Sequence, residues 1–140
     1  MIKQIFVNLP VKDVKKSITF FTKVGFTFNK EFTDDNVACM IIGEKMFAML
    51  IGEKLFKTFV KKEIADTKKT TEMINSLQVD TKKEVDDMFT KAIKEGAIEQ
   101  RELQDHGWMY VRNFQDIDGH LWEVFWMDES KRLKDQESGK

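Results

Sequence analysis

The sequence predicts an α+β fold of two tandem β-α-β-β-β modules that form one curved mixed sheet with a concave cleft and outer helices. The order of elements in the N-terminal half repeats in the C-terminal half. Phe21-Thr-Lys in the first helix is echoed by Phe89-Thr-Lys in the second, and Gly43 and Gly119 occupy matching turns before each module's last strand. Because neither module can bury a sheet face and a helix alone, we expect both to pack side by side as one structural domain.

Composition excludes several classes of protein. The 140 residues are 41% hydrophobic, with 12 Phe and 8 Met, which suffices for one core. Charged residues make up 34% but nearly cancel at net −1, so no basic surface for nucleic acid or an anionic membrane is expected. No apolar run approaches the roughly 20 residues that cross a bilayer. The single Cys39 and the absence of a signal-peptide pattern favour the cytoplasm.

The first module spans residues 1–52. In its first strand an aliphatic face, expected against a helix, alternates with Phe6, Asn8 and Pro10 on the opposite face. Asp13 is a suitable cap for the following helix, whose apolar stripe begins at Val14 and which ends at Gly25. Strands are then predicted over residues 26–32, 37–42 and 46–51.

A Lys-rich segment, residues 53–71, connects the modules. Its four large apolar residues predict that it packs back on the body of the protein, with a helical turn. The second module spans residues 72–127, with a helix closed by Gly96 and strands over residues 72–80, 97–103, 108–114 and 121–127. The polar tail, residues 128–140, is predicted to be frayed or disordered.

Glu123 is the strongest candidate functional residue. It is a single carboxylate inside the aromatic last strand, where a charge is costly unless it is paired, ligated or facing a wet cavity. It could serve as a metal ligand, a general base or an acceptor for a polar group. Alternatively it is a structural acid that pairs with Arg112 or bonds to Asn8.

Other candidates have alternative structural interpretations. Trp108, Tyr110 and Arg112 alternate on one strand face, which either lines the cleft, as we favour, or packs in the core. His106 is an acid/base candidate at the cleft edge, whereas His120 is expected to be a turn residue. Cys39, in an apolar strand, is expected to be a small core residue.

Three features resemble the vicinal oxygen chelate superfamily, which includes glyoxalase I, bleomycin- and fosfomycin-resistance proteins and extradiol dioxygenases. Residues 11–26, VKDVKKSITFFTKVGF, are similar to the family pattern V-x-D-x-x-x-S-x-x-F-[YF]-x-x-x-G-F. Residues 116–123, DIDGHLWE, are similar to D-P-D-G-x-x-[WIL]-E, with Ile117 replacing proline. The duplicated order is the third feature. The likeness covers residues 2–127 and is closest to a bacterial branch labelled predicted lactoylglutathione lyase or glyoxalase-like.

The resemblance also implies where a metal would bind. In metal-dependent members, four inward side chains from the first and last strands of each module hold one divalent cation. Those positions fall here on Phe6, Met49, Ile74 and Glu123. Phe and Ile cannot coordinate a metal, and a thioether suits hard cations poorly. We therefore expect no cofactor and no catalytic metal, with Glu123 as a residual ligand position.

These observations support three hypotheses. The first is a glyoxalase/bleomycin-resistance-like protein that binds a small, partly apolar molecule in a cleft around Glu123. The second is a lactoylglutathione lyase-like lyase or isomerase that uses Glu123 as a base or residual ligand. The third is a protein-interaction module. The resemblance further implies a homodimer. The predicted cleft residues besides Glu123 are Phe6, Asn8, Met49, Ile74, Trp108, Tyr110 and Arg112.

Overall fold

The computed structural model describes residues 1–131, which fall into two compact units. The first unit is Met1–Thr70, and the second begins at Thr71. Each unit contains a four-stranded mixed sheet and a long helix, so the α+β class and the repeated β-α-β-β-β order are confirmed. The strands form two sheets, one in each unit, where the sequence predicted a single curved sheet.

The first sheet has the strand order β1-β4-β3-β2, with β1 parallel to β4 and the other pairs antiparallel. The strands predicted over residues 37–42 and 46–51 are observed within one residue of those bounds. The strand predicted over residues 26–32 is shorter in the structure. A 3-10 turn replaces its second half, beginning where the Asn29 side chain accepts the Glu31 N–H at 3.0 Å. The elements are β1 (Ile5–Val11), α1 (Val14–Val24), β2 (Thr27–Asn29), the 3-10 turn (Lys30–Phe32), β3 (Val37–Gly43), β4 (Met46–Gly52) and α2 (Glu53–Phe56).

Local chemistry sets the ends of α1. The Asp13 carboxylate accepts the Lys16 N–H at 3.1 Å, as an N-cap does. Gly25, with φ of 122°, ends the helix in a conformation that other residues rarely adopt. The helix buries Phe20 and Phe21, and Leu9 of β1 is 3% exposed, so the aliphatic face of β1 contributes to this core as predicted.

The second sheet has the strand order β5-β8-β7-β6, with β5 parallel to β8. β8 spans the residues predicted for it, whereas β5 is shorter than residues 72–80. Thr81 caps the helix by accepting the Glu84 N–H at 3.1 Å. The elements are β5 (Ile74–Gln78), α3 (Lys82–Lys94), β6 (Ile98–Asp105), β7 (Met109–Gln115) and β8 (Leu121–Met127).

The two faces of the second sheet differ in what they contact. Helix α3 packs on β7 and β8, where Val85 of the helix meets Tyr110 and Val124 in a buried cluster. Because side chains alternate along a strand, the intervening residues project to the other side. We call that side of the second sheet the helix-free face, because it lies opposite α3 and no helix among α1 to α3 is described on it. Glu123 and its β7 partner Asn113 lie on it.

Two further sequence predictions concern the C-terminal tail and membrane-spanning helices. The predicted disorder of the polar tail falls, from residue 132 onward, outside the described residues. Among residues 1–131, no helix combines the length and apolar character that crossing a membrane requires.

Candidate binding site on the helix-free face

Glu123 lies in the middle of β8, an interior strand of the second sheet, and its side chain is half-buried. On the same face, β8 places Leu121 before it and Phe125 after it, so the carboxylate has apolar neighbours along its own strand. Its polar partner in the described structure is Ser76 of β5, whose hydroxyl donates to Glu123 Oε1 at 2.9 Å. Arg112, which sequence analysis offered as a partner for Glu123, pairs instead with Asp86 and lies 3.8 Å from Glu99.

Asn113 lies beside Glu123 on the opposite flank. The two residues are register partners between β7 and β8, and the Asn113 side chain is only 3% exposed. Its Nδ2 is shielded from solvent and has no hydrogen-bond partner among the described residues. A buried amide without a partner costs about 1–3 kcal/mol. Glu123 is therefore flanked by a hydroxyl on one side and an unpaired donor on the other.

Sequence analysis missed Ser76 and Asn113. It chose Ile74 as the β5 position of the site, but Ile74 pairs with Leu121, whereas Ser76 is the register partner of Glu123. Ile74 still lies on the helix-free face and is 52% exposed. A signal for Asn113 was present, because two adjacent polar residues in the apolar run of β7 must place one on each face.

Tyr110 and Arg112 require a correction. Both were predicted to line the cleft, but they lie on the face that packs against α3. The Tyr110 hydroxyl donates to Asp86 Oδ1 at 2.8 Å, and Arg112 Nε donates to the same oxygen at 2.9 Å. The Arg112 guanidinium also lies 4.5 Å from the ring centroid of Phe89. Periodicity alone did not distinguish the two faces. The contacts with α3 place Tyr110 in the core and make Arg112 a partly exposed salt-bridge partner of Asp86.

The Tyr110 hydroxyl is electrostatically perturbed by this packing. Burial raises the pKa of Tyr110 above its ordinary value, and the hydrogen bond to Asp86 raises it further. Trp108 lies outside β7, in the turn before it, where its carbonyl accepts the Asp128 N–H at 2.7 Å. The position of Trp108 is therefore set by this turn and by Asp128, the residue that follows β8.

In the first unit, Phe6, Asn8 and Met49 share one face of the sheet, as predicted. Asn8 is the register partner of Met49 on β4, and Phe6 stacks on Phe47 with ring centroids 4.8 Å apart. Phe6 is 47% exposed. This face is mainly aromatic and thioether in character, and it offers contact area for an apolar group.

The turn before β8 is organised by Asp116. Its Oδ1 accepts the backbone N–H groups of Asp118 and His120 at 2.8 and 3.0 Å, and its Oδ2 accepts Trp122 Nε1–H at 2.8 Å. Burial raises the pKa of Asp116, while the charge of His120 and these donors oppose the rise. His120 is thus part of the turn, as expected, and Asp116 fixes where β8 begins.

The remaining candidates take no part in this arrangement. His106 is exposed in the turn between β6 and β7, where its backbone N–H donates to the Met109 carbonyl at 2.8 Å. Cys39 is 1% exposed, and burial raises the pKa of its thiol, so the reactive thiolate is disfavoured.

The side chains present do not fit a catalytic divalent metal. The other three ligand positions that the resemblance implies hold Phe6, Met49 and Ile74. The register partners of Glu123 within the second sheet supply a hydroxyl and an amide. Within residues 1–131, no group of three or more His, Cys, Asp or Glu side chains is arranged to hold a metal ion. Zinc, nickel and manganese sites require more imidazole or carboxylate ligands than this surface supplies.

Comparisons with known proteins agree with this fold. A family model described as bleomycin resistance protein-like N-terminal matches residues 3–43. Comparison with functionally curated proteins gives no significant match. A hypothetical protein from S. aureus has 28% identity and a TM-score of 0.77, with 90% of this chain and 95% of that chain covered.

Two more distant structures share the fold. A glyoxalase/bleomycin resistance protein/dioxygenase family enzyme from Burkholderia phytofirmans PsJN has 16% identity and a TM-score of 0.72, covering 87% of this chain and 96% of its own. Lactoylglutathione lyase from Agrobacterium tumefaciens has 14% identity and a TM-score of 0.64, covering 87% and 91%. The resemblance predicted from the sequence is thereby confirmed at the level of the fold.

Proposed function

We propose that this chain, which has the fold of the glyoxalase/bleomycin resistance/dioxygenase superfamily, binds a small, partly apolar molecule at Glu123 without a catalytic metal. Fold alone does not assign chemistry, so the proposal depends on the residues of the site. Its action would be sequestration or sensing of the bound molecule.

The observation that supports binding is the environment of Glu123. A half-buried carboxylate projects from an interior strand between Leu121 and Phe125, bonded by one hydroxyl and flanked by the unpaired Asn113 amide. Ligand sites are typically apolar surfaces with a few convergent polar groups, and this face has that composition.

A fragment-binding experiment tests the proposal. A panel of small aromatic and aliphatic molecules would be titrated into ¹⁵N-labelled protein, and shifts should concentrate on the amides of Ser76, Asn113 and Glu123. Glu123→Gln should weaken the best fragment about tenfold, since a charge-assisted hydrogen bond contributes about 1.5 kcal/mol or more. Glu44→Gln, on the exposed turn between β3 and β4, is the matched control and should leave affinity unchanged. Absence of binding at this face would favour the interaction-module hypothesis.

Metal independence has its own test. Exhaustive chelation with EDTA should leave both fragment affinity and the melting temperature unchanged. Added Ni²⁺, Zn²⁺ or Mn²⁺ should not raise the melting temperature, because a metal that binds only the folded state must stabilise it. Stoichiometric metal in the purified protein that disappears in Glu123→Gln would contradict the proposal.

The alternative function is a lyase or isomerase of the glyoxalase type, with Glu123 as a base. It can be distinguished by assaying turnover of the methylglyoxal–glutathione adduct. We expect no turnover, because the positions beside Glu123 supply neither imidazole nor a second carboxylate to assist proton transfer. Turnover that is lost in Glu123→Gln and retained in Glu44→Gln would establish the lyase instead.

We also propose a homodimer that acts in the cytoplasm. Several large apolar side chains are more than half exposed in the single chain, and a dimer that buried them would gain hydrophobic stabilisation. The buried Cys39 is the chain's one cysteine, which suits a reducing compartment. Light scattering should give twice the chain mass of 16.5 kDa, and a monomeric mass would contradict the dimer. The large apolar residues that are more than half exposed are Met1, Ile2, Ile5, Phe32, Phe59, Ile74 and Ile98.

A further inference from the structure

Four polar residues form one row across the helix-free face of the second sheet. Ser76 on β5 pairs with Glu123 on β8, and Glu123 pairs with Asn113 on β7. Asn113 in turn pairs with Arg101 on β6, where the register shifts on both sides of Arg101. Residues that pair directly between strands point to the same face, and adjacent strands lie about 4.8 Å apart. We call these four residues the polar row. It crosses the whole sheet at one level.

The chemical order of the row is specific. Glu123 supplies an anionic acceptor, Asn113 supplies an amide donor with no partner among the described residues, and Arg101 supplies an exposed cation. Asn113 is only 3% exposed, and its amide Nδ2 lies beside Glu123 without a hydrogen-bond partner among the described residues. An occupant that displaces the side chains shielding this amide would recover the missing hydrogen bond.

The levels on either side of the row mix apolar residues with glutamines. Leu121 pairs with Ile74 and Gln115 on one side. On the other side Phe125 pairs with Val111 and Gln78, and Val111 pairs with Gln104. A ligand held by the polar row would therefore lay an apolar substituent along one of the apolar pairs. The face thus combines a charged strip with partly apolar borders.

We propose that the polar row binds the zwitterionic end of a small apolar α-amino acid, with its ammonium at Glu123 and its carboxylate at Asn113 and Arg101. This inference rests on the proposed function and specifies the ligand class of the same site. A ligand that complements this row presents a hydrogen-bond donor to Glu123, an acceptor to Asn113 and a negative charge to Arg101. Glu123 and Asn113 are nearest neighbours, so groups on a single α-carbon can reach both, and the long Arg101 side chain can reach over Asn113.

The charge balance favours an ammonium over a neutral donor. Glu123 and Arg101 have opposite charges, so a zwitterion meets complementary charge at both ends. A hydroxyl at the same position would leave the carboxylate of Glu123 without a counter-charge. The apolar side chain of the amino acid would contact Phe125 or Leu121.

The test compares four probes on the full chain by calorimetry and ¹⁵N chemical-shift titration. L-phenylalanine carries both charged groups, L-phenylalaninamide lacks the carboxylate, phenyllactate replaces the ammonium with a hydroxyl, and 2-phenylethanol lacks both charges. L-phenylalanine should bind at least tenfold more tightly than each of the others, with shifts at the polar row.

Two substitutions assign the contacts. Arg101→Gln should remove the preference of the protein for L-phenylalanine over its amide and leave the preference over phenyllactate. Glu123→Gln should do the reverse. Arg101 is exposed, so its substitution should not impair folding, and that arm remains decisive if Glu123→Gln is unstable. Glu44→Gln is the control that should change neither preference.

Each contrary result has a defined meaning. Equal binding of phenyllactate and L-phenylalanine would overturn the amino-acid assignment in favour of a hydroxy acid. Equal binding of all four probes, insensitive to Arg101→Gln, would overturn the role of the polar row and leave small-molecule binding intact. No binding of L-phenylalanine, with fragments still bound at Glu123, would likewise overturn only this inference. If neither L-phenylalanine nor any fragment binds, both proposals fail.

Discussion

Burial of the Asn113 side chain lowers the stability of the folded protein. Its Nδ2 is buried beside Glu123 with no partner among the described residues. Replacing an unsatisfied amide by an apolar group of similar size removes the cost of burying it. Binding sites commonly retain such groups at the expense of stability.

Asn113→Leu should therefore stabilise the protein by about 1–2 kcal/mol while weakening binding at Glu123. Urea denaturation measures the first effect and fragment titration the second. Asn75 provides the matched control, because its Nδ2 is also buried and unpaired but pairs in register with Trp122 on the opposite face. Asn75→Leu should stabilise the protein without affecting binding, and loss of binding in both variants would contradict a specific role for Asn113.

Asp116→Asn should destabilise the protein by about 1–3 kcal/mol. The carboxylate accepts hydrogen bonds on both oxygens, and an amide would turn its NH₂ toward either the backbone donors or Trp122 Nε1–H. The midpoint of urea unfolding reports the change. Asp35→Asn, in an exposed turn, should shift the midpoint little. Equal midpoints for the two variants would mean that Asp116 does not stabilise the turn before β8.

At the scale of elements, one carboxylate adds hydrogen bonds to the apolar packing of α3 on β7. Asp86 of the helix accepts hydrogen bonds from Tyr110 and Arg112, and the next nearest acid to Arg112 is Glu99 at 3.8 Å. Asp86→Ala should lower the free energy of unfolding by about 1–2 kcal/mol. Asp87→Ala removes only the exposed pair with Lys83 and should cost less than about 0.5 kcal/mol. If both variants lost a similar free energy of unfolding, Asp86 would stabilise the protein no more than the exposed Asp87 does.

Tyr110 gives this contact a pH dependence. Its pKa in the folded protein lies above the ordinary 10.0, so the unfolded chain loses the phenolic proton first as pH rises. The stability that the protonated Tyr110 contributes is complete below pH 10.0 and is lost as pH rises through the folded pKa. The advantage of the native protein over Tyr110→Phe in thermal melting should shrink above that pH. A constant difference would contradict the assignment.

The sequence predicted the elements better than the faces of the sheet. Capping by Asp13, the alternation in β1 and the aromatic run of β8 identified helices and strands because these signals are local. Which side of β7 meets α3 depends on contacts distant in sequence, so Tyr110 was assigned to the wrong face. The register of β5 against β8 is equally non-local, and it makes Ser76 the partner of Glu123.

At the scale of the whole molecule, the two units carry different spectroscopic probes. Trp108, Trp122 and Trp126 all belong to the second unit, whereas Cys39 is buried in the first. If the modules fold as one structural domain, as the sequence predicts, tryptophan fluorescence and thiol labelling in urea should give the same midpoint. Labelling of Cys39 at lower urea than the fluorescence change would show that the units unfold separately.

The turn that Asp116 stabilises also limits which insertions and deletions the chain can accept before β8. The strand that follows places alternate residues on opposite faces, so Glu123 lies between two side chains that face the core, Trp122 and Val124. Adding or deleting one codon between Gly119 and Leu121 would exchange the carboxylate for a neighbouring apolar side chain and bury a charge. We expect insertions and deletions to be tolerated there only in steps of two residues, while substitutions at exposed turn positions remain permitted.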